Sequence, residues 1–428
     1  PQPNMKSLLD KLFFRSNNLN IVSNNLKQIS LDTPASKIFF AINSYSSLSE
    51  VRYVGGCVRK AIKGEKIDDI DLATNLEPKE VCEALKKNQI NYYETGLEHG
   101  TITALIDDHK FEITSLREDI STDGRHAQVK FSKDWKKDAS RRDFTINAIY
   151  SDIEGNIFDP YNGKDDLEKG VINFIGNPEI RVQEDYLRIL RYVRFFITYS
   201  KQRHNHEIVK SLRKNFIGIS KLSKERLIDE LEKILDKKIL RNLSKDKFCL
   251  EILQLTFPQL RYFDVFFRLN PYAERLFINI DFIFIVSLLI IDQTDNAEYF
   301  LYKFNISKKN QKRIKNIYYF YKDKITSKTF SESNLNRVFY YQGKETVIDV
   351  INFKIFKSKK LDNRLIELSK SYYDKTVPAM PVKADTLMKK YKILEGKNLG
   401  DKLKMIEEEW VKNNFKISNQ QVENIINN

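Results

Sequence analysis

Cysteine is scarce in this 428-residue chain: the three copies, Cys57, Cys82 and Cys249, lie far apart and form no C-x-x-C pair. Neither a disulfide framework nor a zinc site is indicated. Histidine is nearly as sparse, with five copies and no H-E-x-x-H. Long apolar runs are missing as well. The longest, Phe282 to Ile291, is broken by Ser287 and is about half of what a bilayer requires. Lys6, Asp10 and Lys11 interrupt the early apolar residues, so no secretory leader is expected. The expectation is a soluble cytoplasmic protein with no membrane association. No repeat of fixed period is evident.

Positive charge, in contrast, is in excess. The 72 Lys+Arg against 58 Asp+Glu give a formal net charge of +14, which favours a polyanionic partner without identifying one. The length exceeds that at which a single core usually keeps growing, so several domains are expected. Between about 50 and 175 the chain is β-rich and punctuated: "VRYVGG", "DDIDLAT", "GTITALI", "KFEITSL" and "AIYSDIEGNIFD" show alternation or β-branched enrichment between Gly, Asn and Asp. Gly155 and Asn156 mark a hairpin turn. From about 178 onward apolar residues recur at three- and four-residue spacing, as in "EDYLRILRYVRFFITY" and "KERLIDELEKIL". The expected fold class is an α/β head, with a small mixed or antiparallel sheet, followed by an elongated all-α remainder.

The stretch "KIDDIDLAT", 66–74, crowds Asp68, Asp69 and Asp71 into a predicted strand. Residues two apart on a strand share a face at about 6 to 7 Å, so Asp69 and Asp71 project together and Asp68 projects away. Two carboxylates aimed at one point repel unless a cation lies between them, and oxygen-only ligands suit Mg²⁺ with its waters and substrate phosphates. Upstream, "GGCVRK" places Gly55 and Gly56 at a strand-to-helix turn. Backbone N–H groups can approach a phosphate there, and Arg59 adds a forked donor. The combination describes a triphosphate-and-metal site.

"GGCVRKAIKGEKIDDIDLAT" resembles the first motif of class II tRNA nucleotidyltransferases, the CCA-adding enzymes, and of the bacterial poly(A) polymerases that share their polymerase β-like head. The matching positions are Gly55, Gly56, Val58, Arg59, Asp69, Asp71 and Thr74, with Lys60 departing from a usual Asp. The resemblance implies two Mg²⁺ ions on Asp69 and Asp71 and a third carboxylate at Glu112. "SRRDFTINAIY" resembles the second motif, implying Arg142 on triphosphate oxygens and Asp143 and Asn147 on the ribose or on that arginine. "EDYLRILRYVRF" resembles the family's protein template. Read as a helix, it makes Asp185 and Arg188 i,i+3 neighbours able to present one donor-acceptor edge to C or A. The resemblance further implies Glu184 as a buttress and Arg191 and Arg194 continuing toward phosphates.

"REDISTDGRHAQVKF", 117–131, reads as a polar flexible loop, which the resemblance links to switching from CTP to ATP. Close matching covers about 50 to 235. The implied organisation is an N-terminal helical segment (1–30), catalytic head (31–168), neck (169–238), helical body (239–310) and tRNA-binding helical tail (311–428). Tyr318, Tyr319 and Tyr321 are expected in or beside the core of the tail. Three functions stay open: a CCA-adding enzyme acting on tRNA with CTP and ATP, a poly(A) polymerase or A-adding relative, and an inactive RNA-binding module. Glu98, His99 and Gly100 stand where a poly(A) polymerase would carry arginines. Monomer and homodimer both remain open.

Overall fold

A computed structural model describes residues 21–122 and 127–428, with nothing given for the side chains of 121, 122, 127 and 128. The chain divides into two compact units, one ending at Leu222 and the other running from Ser223 to Asn428. That boundary falls inside the segment expected as a neck.

The first unit holds a mixed seven-stranded sheet and a separate two-stranded ribbon. The strands are β1 (Val51–Val54), β2 (Ile70–Thr74), β3 (Asn91–Gly96), β4 (Thr101–Ile106), β5 (His109–Ser115), β6 (Arg117–Thr122), β7 (Ala127–Phe131), β8 (Tyr150–Ser151) and β9 (Ile157–Phe158). The sheet order is β3-β4-β5-β2-β1-β8-β9, and β6 pairs with β7 in the ribbon. Only β2 and β5 pair in parallel; the other neighbours are antiparallel. β8 and β9 form the expected hairpin, with Gly155 at φ +80°.

The alternation of β2 decides where a site can form. Ile70 and Leu72 enter the larger core with Val51, Tyr53, Phe111 and Ile113, beneath the helices Ala35–Asn43 and Pro78–Lys87. The opposite face, which Asp71 shares with Ala73, has a smaller apolar cluster of Val54, Ala73, Ala139, Ala148 and Tyr150. Polar side chains fill the rest. Beyond the sheet, the helices Pro178–Glu184 and Leu187–Tyr199 follow, the latter burying Leu190, Val193 and Phe196.

One expectation differs from the fold. The segment 117–131 is no simple loop: β6 and β7 pair, with an irregular register between Asp119 and Ser121. Its centre, 123–126 with Gly124, lies outside the described residues, as does most of the expected N-terminal segment. β3 was not anticipated either, because its edge position leaves much of "NYYETG" exposed and removes the apolar alternation.

Among its described residues the second unit contains helices and no strand. Its longest apolar run becomes the core helix Phe282–Ile290, in which the hydroxyl of Ser287 donates to the carbonyl of Ile283 at 2.8 Å. In the helix Lys308–Tyr321, Tyr318 and Tyr321 are buried as expected. Tyr319 departs from that expectation at 53% exposure. No helix in the described residues is long and apolar enough to cross a membrane.

Gly163 is fixed by proximity. A Cβ there would lie 2.0 Å from the carbonyl oxygen of Thr145, whereas one at Gly400 would meet nothing within 4 Å. Gly163→Ala is expected to destabilise the protein by on the order of 2 kcal/mol or more in chemical denaturation, because it displaces the turn carrying Asn147. Gly400→Ala, inside the helix Lys397–Lys412, is expected to stabilise by about 0.5 to 1 kcal/mol.

Candidate active site

Asp69 stands one residue before β2 and Asp71 is its second residue, so the strand proper is shorter than its sequence suggested. Asp69 acts electrostatically on Asp71, while the intervening Ile70 is buried. Asp68 turns elsewhere and meets Lys60 at 3.6 Å and Lys66 at 3.9 Å. Lys60, the departure from the motif, thus pairs with the acid that is outside the site. Glu112 lies directly across from Asp71 in the parallel β2–β5 register. Ligand atoms of the three acids do not all fall within 4.8 Å of one another. Glu112 therefore acts on Asp71 as a charge across the strand pair, not within a tight three-carboxylate cluster.

Burial, Glu112 and Asp69 together push the Asp71 carboxyl up to about 6, against the opposing pull of Arg142 and Arg59. An acid in that state is ready for a cation. The donors are all oxygen, as a hard divalent ion requires.

Gly55 links β1 to the helix Gly56–Lys63 and takes φ +69°, a left-handed conformation that glycine adopts without cost. The helix then carries Arg59 inward to the side-chain oxygen of Asn147. Asn147 donates to Asp143 Oδ1 at 2.9 Å, and Arg191 Nε donates to Asp143 Oδ2 at 2.6 Å. One chain of contacts therefore runs from the glycine turn to the helix Leu187–Tyr199. Burial opposes the charge on Asp143, but Arg191, Asn147 and the backbone of Phe144 outweigh it and hold the carboxyl down at about 2. Arg59, Arg191 and Arg194 also lie against the ring of Phe195, at 4.9, 5.3 and 4.4 Å from its centroid. Cation–π contact with the buried ring spaces three like charges along this wall.

Arg142 donates through Nε to the hydroxyl of Tyr150 at 3.1 Å and through Nη2 to Asp138 at 3.3 Å. Asp138 was not anticipated as a site residue, although it precedes Arg141 and Arg142 by three and four positions, the spacing of helical ion pairs.

The template reading needs one correction. Asp185 is not helical: with φ −152° and ψ 105° it separates two helices, and its Oδ1 accepts from the backbone N–H of Leu187 at 3.1 Å. Asp185 therefore occupies an extended break with a capping role, where a polar residue can bond the exposed N–H groups at a helix start. Arg188 follows in the first turn and donates to Glu184 at 2.8 Å and to the carbonyl of Arg181 at 2.8 Å. Glu184 also binds Arg181, another residue missed in the sequence despite its i,i+3 spacing to Glu184. Glu184 thus accepts hydrogen bonds from both Arg181 and Arg188.

Residues 51–173 match the family described as the Poly A polymerase head domain. That match spans less than half of the chain. CCA tRNA nucleotidyltransferase 1, mitochondrial, of Mus musculus is 44% identical over 189 residues, 44% of each chain. The CCA-adding enzyme of Lactobacillus johnsonii is 37% identical over 187 residues, covering 43% of this chain and 46% of its own. The chain thus matches less than half the length of these relatives. Crystals of the Bacillus stearothermophilus CCA-adding enzyme in complex with CTP contain a similar fold, with a TM-score of 0.68 at 20% identity over 91% of this chain and 95% of that one. The Thermotoga maritima CCA-adding enzyme complexed with tRNA gives 0.57 at 20% identity over 91% and 94%. The likeness in fold therefore runs well beyond the Poly A polymerase head domain.

The crowded Asp71 has a measurable cost. Its carboxyl rises from 3.8 to about 6, so the folded state favours the neutral form. The cost is absent below the unfolded value and complete above the folded one. Asp71→Asn is expected to raise the melting temperature at pH 7.5 in metal-free buffer by a few degrees, a gain that shrinks through the interval and vanishes near pH 4.

Proposed function

We propose that this chain is a template-independent RNA nucleotidyltransferase that adds C, C and A to the 3′ end of tRNA from CTP and ATP, releasing pyrophosphate. The observation that carries this reading is the convergence of charges on Asp71: Asp69 and Glu112 raise its carboxyl, and Arg142 and Arg59 draw it down. A phosphate-transfer site needs both signs, carboxylates for the cation and guanidiniums for the triphosphate. The names of the relatives, which describe CCA addition, select among polymerases of this kind.

In this reading Asp69 and Asp71 hold Mg²⁺, with Glu112 adding negative charge across the strand pair. Two ions, when bound, supply activation of the RNA 3′-hydroxyl and charge stabilisation for departing pyrophosphate. The turn at Gly55 and Gly56 lets the phosphates approach the backbone, and Arg142 binds their oxygens. Asn147 and Asp143, tied between Arg59 and Arg191, set the ribose side of the pocket. Asp185 and Arg188 read the base. A carboxylate and a guanidinium complement the amino group and ring nitrogen shared by cytosine and adenine, and they mismatch the carbonyl and N–H of uracil and guanine.

The subdivision into neck, body and tail belongs to the same proposal. The helix Lys308–Tyr321 exposes Lys308, Lys309, Lys312, Lys315 and Tyr319, a combination suited to RNA phosphates and to stacking.

The decisive assay incubates the chain with tRNA lacking its 3′ end, Mg²⁺ and each labelled nucleotide. Addition of two C and one A is expected; long A tails would assign a poly(A) polymerase, and no addition with RNA retained would assign a binding module. Asp69→Ala and Asp71→Ala are each expected to abolish addition while RNA affinity stays within about twofold. Full activity in either variant refutes the metal assignment. The double exchange Asp185→Arg with Arg188→Asp is expected to move selectivity toward UTP or GTP. Unchanged selectivity would show that the base is read elsewhere.

A further inference from the structure

Among the described residues of the first unit Asp138 is the most heavily engaged buried acid, and none of the roles above uses it directly. It lies in the helix Trp135–Ser140 and is 1% exposed. Its Oδ1 accepts from Arg141 Nε at 3.1 Å, Arg141 Nη2 at 3.0 Å and the backbone N–H of Arg117 at 3.3 Å. Its Oδ2 accepts from the hydroxyl of Tyr150 at 2.6 Å and from Arg142 Nη2 at 3.3 Å. Burial works against this carboxylate, yet the surrounding donors keep it ionised.

The donors come from separate parts of the site. Arg117 opens β6 and so forms the foot of the ribbon. Tyr150 opens β8 and also accepts from Arg142 Nε. Asp138 and Tyr150 together occupy the Nε–Nη2 edge of Arg142. Among the described residues Nη1 of Arg142 makes no hydrogen bond, so the guanidinium is held by one edge with the other nitrogen left to meet an anion. Arg141, also bound to Asp138, offers its carbonyl to Arg188 Nη2 at 3.2 Å. The buried carboxylate is thus one residue removed from the arginine assigned to the base.

We propose that Asp138 is a positioning residue: it fixes Arg142 in the orientation that meets the triphosphate and fastens that arginine to the foot of the β6–β7 ribbon. This rests on the nucleotidyltransferase reading above. An oriented donor helps a phosphate more than a mobile one, because its ordering has been completed before the nucleotide arrives. The near-isosteric Asp138→Asn removes the charge holding two guanidiniums and turns an amide toward their donors. Tyr150→Phe removes only the bridging hydroxyl and spares the carboxylate.

The test measures binding of CTP and CMP by calorimetry with Mg²⁺ present, together with KM and kcat for addition to tRNA. Asp138→Asn is expected to weaken CTP binding and raise its KM by about tenfold, to affect CMP less, and to leave the affinity for tRNA within about twofold. Tyr150→Phe is expected to show the same pattern at about threefold. A folded Asp138→Asn protein with unchanged CTP affinity overturns the proposal. So does a variant that loses only active fraction and kcat while the remaining protein binds CTP normally, since that is the signature of a purely structural role. If Asp138→Asn gives no cooperative melt, Tyr150→Phe decides, and its unchanged CTP affinity counts against the proposal. Absence of CTP binding by the unaltered protein overturns the nucleotidyltransferase reading itself.

Discussion

Asp69 and Glu112 both repel the Asp71 carboxylate, and the rest of the head is arranged around that repulsion. Placing negative charge where β2 leaves the apolar core costs stability, as the upward displacement of Asp71 records. Folding alone would favour a neutral side chain there. Retaining the acid makes sense when a cation joins the assembly, because attraction to a divalent ion replaces the mutual repulsion. Arg142 and Arg59 moderate the cost without abolishing it, since each also has an uncharged or acidic partner of its own to satisfy.

Two buried acids of the opposite kind make this crowding tolerable. Asp138 and Asp143 sit among donors and stay ionised despite burial. Each converts a strand or helix end into a fixed platform for arginines: Asp143 for Arg191, and Asp138 for Arg141 and Arg142. Removing one partner from such a network leaves an uncompensated buried charge, which is far costlier than any exposed ion pair. The arginine side chains are therefore ordered before any nucleotide is present. Preorganisation of this sort, more than the number of positive charges, distinguishes the head from a generally basic surface.

Local patterns revealed much of this arrangement. The glycine pair announced a strand-to-helix turn because φ +69° at Gly55 suits little else, and the apolar partners of β2 fixed the face of Asp71 through strand periodicity. The hairpin at Gly155 was legible for the same reason. Features that depend on tertiary neighbours were not. The β6–β7 ribbon lacks a clean apolar alternation, and its polar composition reads as a loop. Asp185 lies in a sequence whose spacing continues smoothly into the next helix, so the break appears only once its backbone is seen extended and its side chain capping Leu187. Asp138 did not stand out in the sequence, since only the fold brings Tyr150 and the backbone of Arg117 to it. Tyr319 shares its helix with buried tyrosines and differs solely by the side of the helix it occupies.

The claim on which the account depends is that the carboxylates at the start of β2 form a divalent-cation site completed by a nucleotide triphosphate. Electron paramagnetic resonance of Mn²⁺ reads this directly, because bound manganese loses the sharp signal of the free ion. The account predicts weak Mn²⁺ binding by the protein alone, a marked gain on adding CTP, and loss of that gain in a protein carrying Ala at both positions 69 and 71. Manganese binding in the presence of CTP that persists in the doubly substituted protein would contradict it.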